Sequence, residues 1–199
     1  MARIGFKKGK YNTIDQETNK YSALTNSTVP KLEKVIDEKF SAEYNSAELY
    51  ADDALAESDY SFKSGTLTIT VANDDDTKEA KLMGNTITSG QTNAGEVTKN
   101  INDNAPEFGY GHIVTKMING SKKYKVEFFP RCKCTNITTD AKTKGENIEF
   151  GTTTIEAKVF ALETAMNGFA IGDWEKHKTF DTEAAAETYL DTLLTPSAN

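Results

Sequence analysis

The residues with the most chemical potential in this chain are acidic. Asp52 and Asp53 sit side by side in Asn45-Ser-Ala-Glu-Leu-Tyr-Ala-Asp-Asp-Ala-Leu-Ala-Glu57, with Glu48 and Glu57 at either end. Carboxylates that share a pocket can move protons or hold a metal ion. This spacing repeats no metal-loop pattern, and no histidine lies nearby in sequence. Asp74, Asp75 and Asp76 invite a calcium loop, but Lys78 and Lys81 intrude and the central glycine of such a loop is missing. The competing reading is a short helix with Asp76 as N-cap, Glu79 three residues on, and Gly84 closing it. The histidines are His112 and His177, the cysteines Cys132 and Cys134. Thiols two residues apart on a strand have Cα atoms about 6.5–7 Å apart from the strand rise, at the limit for a relaxed disulfide. Two thiols also fall short of the four ligands of structural zinc. They read as free thiols on a strand.

The remaining catalytic inventory is thin. There is no G-x-S-x-G, P-loop or H-E-x-x-H, and Gly109-Tyr-Gly111 leads into a strand without a third glycine. Two carboxylates suffice for a glycosidase, yet nothing in the sequence sets a pair at the required separation. His177 reads as a surface residue and His112 as a strand residue. The expectation is no catalysis, no cofactor and no metal, with a small acidic hydrolase or binding module as the alternative from a different class.

The elements that must carry these residues are mostly strands. The chain has 199 residues, enough for one well-filled domain or a domain with long arms. Its hydrophobic share of 37% is low for a self-sufficient monomer, which hints that neighbouring copies complete the burial. The net charge of −7 argues against a basic reader of nucleic acid, but suits a surface past which DNA slides without sticking. Residues 1–40 hold eight Lys/Arg against five acids, whereas residues 41–107 hold four against thirteen. The amino terminus lacks the apolar region of a secretory leader, and no run approaches the roughly 18 apolar residues that span a bilayer.

Residues 1–30 read as a strand or arm near Ile4–Phe6 followed by a loop, and residues 31–199 as one domain. Lys34–Tyr44 alternates, with Ile36, Phe40, Ala42 and Tyr44 on one side; Glu38 on that side and Val35 on the other blur the pattern. Thr66–Val71 repeats it with Leu67, Ile69 and Val71 inward. Residues 85–107 are turn-rich with little apolar anchoring, and are expected at a subunit junction or partly disordered. Tyr110–Ile118 and Lys123–Phe129 form a hairpin through Asn119-Gly120, with a bulge or an edge at Pro130. Asn147–Phe160 and Trp174–Phe180 are strand-like. The chain closes on an amphipathic helix over about 181–194, with Asp181 as cap, Phe180 stapled onto Ala185, and Ala186, Tyr189, Leu190 and Leu193 as its stripe.

Four stretches in this order are similar to the tail tube subunits (major tail proteins) of long-tailed, non-contractile bacteriophages of Gram-positive hosts. They are Asn45–Glu57; Phe108-Gly-Tyr-Gly-His112 with its hairpin; Thr143-Lys-Gly-Glu-Asn-Ile-Glu-Phe150 with Thr154-Ile-Glu156; and Trp174 through Leu190. They span about residues 40–195; the first thirty residues, the Cys132/Cys134 pair and the Glu163–Gly172 connection depart from the family. The resemblance implies a mainly β protein, a β-sandwich with one short internal helix and a C-terminal helix. It further implies six copies per ring and stacked rings forming a tube, with each copy lending strands to an inner barrel. The implied partners are the chain itself, a tape measure protein, and tail terminator and distal tail proteins. DNA would pass through the lumen without specific binding, and the subunit would be made in the host cytoplasm and reside in the virion tail. From charge and alternation, Glu43, Glu48, Asp52 and Asp53 are expected near the bore or the ring junctions. A contractile-type tube subunit, a decoration protein and a distal tail protein are the nearest alternatives.

Overall fold

Two long antiparallel hairpins and the strands that bridge them organise the protein. The computed structural model describes residues 2–32, 34–51, 54–72, 75–89, 93–140 and 151–196, with the backbone alone at 2, 48–51, 54–57 and 59. In the first hairpin of the core, Asn119 (φ 49°) and Gly120 (φ 78°) both take the left-handed conformation that a two-residue turn needs to match strand twist. They join β8 (Glu107–Ile118) to β9 (Ser121–Thr139), as the Asn-Gly pair predicts. The second hairpin pairs β4 (Val35–Ala51) with β5 (Ala54–Val71), so the described residues of the acidic stretch, 45–51 and 54–57, lie at its distal end.

The amino-terminal strand is longer than its sequence pattern suggests. β1 (Ala2–Asp15) runs antiparallel to β8 from Ala2↔Met117 to Thr13↔Phe108, where only Ile4–Phe6 and a loop were expected. Two of its polar residues, Lys10 and Asn12, are buried and paired inside the fold. The buried Lys10 ammonium meets Glu187 at 3.0 Å and Asp191 at 2.5 Å, and Asn12 Nδ2 donates to the Ser22 and Leu194 carbonyls. The short strands β2 (Lys20–Tyr21) and β3 (Lys31–Leu32) pair along the free side of β1.

β9 serves two parts of the sheet. Before Pro130 it pairs with β11 (Lys176–Phe180), and from Cys132 onward with β10 (Thr153–Val159). Against β8, Phe108 faces Cys132 but Tyr110 faces Phe129, which leaves one extra residue on β9 at Pro130. The residue without an N–H therefore sits in the bulge where the strand changes partners, in line with the sequence expectation. The expected strand over Asn147–Phe160 is β10; residues 147–150 lie outside the described residues. Among the described residues the path of the main sheet is β2-β1-β8-β9-β10-β5-β4.

The sheet curls so that β10-β5-β4 covers one face of β1-β8-β9. Leu67, Ile69 and Val71 of β5 pack with Tyr110, Phe129, Cys132 and Ile155 in one core, as their alternation predicts. A bulge at Ile36 lets both Val35 and Phe40 reach it, because Val35 pairs with Val71 and Asp37 with Thr70. That bulge resolves the blurred alternation of this strand. Cys132 and Cys134 are free and buried here, and burial raises both thiols' pKa, that of Cys134 to about 11.

The opposite face of β8-β9 lies under α2 (Glu183–Leu194), where Ile113, Val126 and Phe128 meet Ala186, Leu190, Leu193 and Leu194. Both helices start one residue from where the sequence puts their caps. α1 (Asp76–Met83) is capped by Asp75, whose carboxylate accepts from the Lys78 N–H, and Gly84 ends it at φ 73°. α2 is capped by Thr182, not Asp181, because its hydroxyl reaches the Ala185 N–H. Phe180 packs on Tyr189, with ring centroids 5.1 Å apart. Residues 85–107 carry a small ladder, β6 (Thr86–Ile87) with β7 (Val97–Thr98), rather than loop alone. The architecture is thus mainly β with a short internal helix and a C-terminal helix.

Gly111 lies on β8 where Leu190 of α2 leaves no room for a side chain. A Cβ there would lie 2.5 Å from Leu190 Cδ1 and 2.7 Å from Phe128 Cδ2. Gly111→Ala is expected to cost about 1–3 kcal/mol, the usual range for overpacking. Urea denaturation measures it, and an unchanged midpoint would show that the helix does not rest on this glycine.

Candidate functional site

The distal half of the β4–β5 hairpin stands apart from the sheet. β5 is held by β10 only from Gly65↔Val159 to Val71↔Thr153, so Ala54–Ser64 has β4 as its sole strand neighbour among the described residues. β4 ends the sheet, and its outer side has no strand partner among them. At a rise of about 3.3 Å per residue, the free part reaches on the order of 35 Å. Asn45, Ser46, Ala47, Ser58 and Tyr60 are exposed along it. Two strands without a third layer are marginal in water, and their open N–H and C=O rows are ready templates for another strand.

Aromatic rings fasten the root of this hairpin to the body. Phe62 of β5 stacks on Trp174 at 4.2 Å and 5°, and Trp174 lies 5.8 Å from Phe40 of β4. Phe40 packs on Phe129 at 4.6 Å, and Tyr44 meets Phe62 edge-on. Gly65 is required beside this stack, since a Cβ would fall 2.3 Å from the Phe40 ring.

A charged cluster lies next to the stack. His112 of β8 is buried, with Nδ1 3.1 Å from Glu38 Oε1 of β4 and Nε2 3.2 Å from Glu127 Oε2 of β9. The Nδ1 contact is within ion-pair range but makes no hydrogen bond. Phe6 stacks on the imidazole at 4.6 Å. Arg3 and Lys125 both hold Glu127, at 2.8 and 2.6 Å, and Tyr110 donates its hydroxyl to Glu38 at 2.8 Å. Burial raises the Glu38 pKa, and the nearby His112 and Tyr110 only partly offset it. Burial works in the same direction on Glu127, but His112 and Lys125 outweigh it and hold that carboxyl at about 2.

Two carboxylates with divergent pKa values in one cleft resemble an acid–base pair. Here the imidazole fills the space between them, where a scissile bond or a water would have to sit. Among the described residues, those lining the cleft of ≈ 380 Å³ around the cluster include no serine, threonine or cysteine. Among the described residues no group of three His, Cys, Asp or Glu is arranged to hold a metal ion. The arrangement is a clasp joining β4 to β8 and β9. The sequence signal for it was present in Glu38, which falls on the inward side of the alternation.

The acidic residues singled out from sequence are spread along the hairpin. Glu43 lies on the exposed face, where its carboxylate accepts from Lys158 Nζ and Ser64 Oγ, both at 3.1 Å. Those two contacts lower its pKa. Glu48 belongs to the distal half of β4, paired with Ser58. Asp52 and Asp53 lie outside the described residues. His177 is exposed on β11 beside Glu175.

No family model matches the chain, and no curated protein matches it. Among solved structures it is similar to the tube-terminating cap of the anti-feeding prophage, with 8% identity and a TM-score of 0.47 over 90% of this chain and 93% of that one. Among the described residues, no helix is long and apolar enough to cross a membrane.

The cluster gives stability a defined acid limit. Glu127's folded pKa of about 2 lies below its ordinary 4.5, so its contribution is present above 4.5 and lost as pH falls toward 2. Glu38, shifted upward, acts with the opposite sign and gains relative stability as it protonates. Glu187, held at about 2 by Lys8 and Lys10, adds to the acid loss from the α2 side. Urea midpoints are expected to fall steeply between pH 4.5 and pH 2.5, with Glu127 accounting for about 2–3 kcal/mol. In Glu127→Gln that part of the slope should disappear; a slope equal to the wild type's would assign the acid loss elsewhere.

Proposed function

We propose that this protein is a structural subunit that assembles with copies of itself into stacked hexameric rings, forming the tail tube of a long-tailed bacteriophage. The observation that carries the reading is the β4–β5 hairpin, whose distal half has no strand partner on either outer edge among the described residues. In a closed ring, the β4 edge of one copy pairs antiparallel with the β5 edge of the next. Each copy then lends two strands to an inner barrel, and closure removes every open edge. The resemblance of Asn45–Glu57 and the three later stretches to tail tube subunits points the same way.

In this reading Glu43, Glu48, Asp52 and Asp53 lie along the bore or the junctions between copies. The tube guides a tape measure protein and then DNA, ends against terminator and distal tail proteins, and resides in the virion. Its chemistry is passive, since an acidic wall repels phosphate instead of binding it. No cofactor takes part.

Replacing Ala47–Asp59 by Asn-Gly tests the reading. The two residues close a hairpin between Ser46 and Tyr60, which already face each other. The wild type is expected to form rings or tubes in negative-stain images of concentrated protein. The shortened variant is expected to remain monomeric, with the Trp174 near-ultraviolet signal and urea midpoint of the wild type. Equal assembly of the two would overturn the role of the hairpin.

A further inference from the structure

The connection after α1 presents a residue that the fold of one copy does not use. Ile101 is 98% exposed, at the tip of a turn built to be rigid. The Asp103 N–H donates to the Asn100 carbonyl at 3.0 Å, and the Asn102 N–H to Asn100 Oδ1 at 2.9 Å. Asp103 Oδ2 accepts from the Asn100 N–H at 2.7 Å and from Asn85 Nδ2 at 2.8 Å, which anchors the turn to the end of α1. Lys99, two residues before Ile101, is exposed and has no ion-pair partner among the described residues. The tip thus offers an aliphatic side chain and a cation, held in fixed relation.

The cleft around the hairpin root offers the complement. Its walls include Phe6, Phe40 and the half-exposed Ile36. Its charges are unequally answered. Glu127 is held by both Arg3 and Lys125, whereas among the described residues Glu38 meets only the Tyr110 hydroxyl and His112, whose Nδ1 makes no hydrogen bond. Asp37, exposed at the mouth, has no ion-pair partner among the described residues. Apolar wall and unanswered acid therefore lie side by side, on consecutive residues of β4.

We propose that the Lys99–Ile101 tip of one copy seats in the Ile36–Glu38 cleft of a neighbouring copy, with Ile101 against the apolar wall and Lys99 toward Asp37. The inference rests on the self-assembly reading and names a second contact, independent of hairpin pairing. It also gives the turn-rich 85–107 segment a use that its own copy does not supply.

Cysteine cross-linking and a charge swap test it on the full chain. Ile36→Cys and Ile101→Cys replace exposed side chains, and the native Cys132 and Cys134 are buried and stay silent. Oxidising the double variant under assembling conditions is expected to give a ladder of covalent oligomers. Lys99→Glu or Asp37→Lys alone should raise the concentration needed for assembly by about three- to tenfold, and combining them should restore it to within about twofold. Ile101→Ser should raise it by about ten- to a hundredfold. A double charge variant no better than the singles, or a cross-link confined to one chain, would overturn the proposal. So would protection of the Ile36→Cys thiol in assemblies that form no cross-link, since another segment would then fill the cleft. Assembly of both wild type and double variant with no cross-link in the double variant refutes this contact alone, whereas a wild type that stays monomeric refutes the tube reading with it.

Discussion

β9 has to serve two layers at once, and the rest of the molecule follows from how it does so. Its first half lies between β8 and β11, with Val126 and Phe128 under α2 and Glu127 and Phe129 facing β4. Both faces are buried, which is why the run Val126–Pro130 is so dense in large side chains. Its second half leaves that layer to pair with β10. A strand can make such a change only where its ladder is interrupted, and Pro130 interrupts it by chemistry rather than by chance. Tyr21 reinforces the corner by donating its hydroxyl to the Pro130 carbonyl at 2.9 Å. With the corner fixed, β10, β5 and β4 fold back over β8 and enclose a core.

Most of this architecture was legible wherever one physical signal dominated. Asn119-Gly120 admitted a single turn geometry, Leu67-Ile69-Val71 had one dry face, and Gly84 could only end a helix. Legibility failed where two signals competed. β1 reads as polar because Lys10 and Asn12 are inside it, and their partners on α2 lie more than 170 residues away. The caps were misplaced by one residue because Asp75 and Asp76, like Asp181 and Thr182, are adjacent good capping residues. Only backbone geometry chooses between them. Glu38 was visible as an anomaly in an apolar alternation, but its partner His112 lies on a distant strand. Pairings between distant strands leave no mark in local pattern.

The long hairpin shows the same limit in another form. Its alternation predicts strands, yet nothing local says that eleven residues of β5, Ala54–Ser64, would outrun their partner β10. That overhang is set by the length of β10, seven residues, against the eighteen of β5. A mismatch in strand length is ordinarily corrected by a turn. Here the extra length is kept as paired backbone whose outer edges have no strand partner among the described residues.

The Glu38–His112–Glu127 clasp explains why such an overhang holds its direction. Burying charge seldom raises stability, because desolvation consumes most of the attraction between partners. Its use is in specifying register. A slip of β4 by one residue would turn Glu38 outward and push Asp37 or Lys39 toward the imidazole, besides inverting Phe40 against the aromatic stack. Either change leaves a buried charge or ring without its partner, so the root has one acceptable register. The Phe62–Trp174 stack then fixes the second strand in the same place. A hairpin anchored through both strands carries that direction outward along its length.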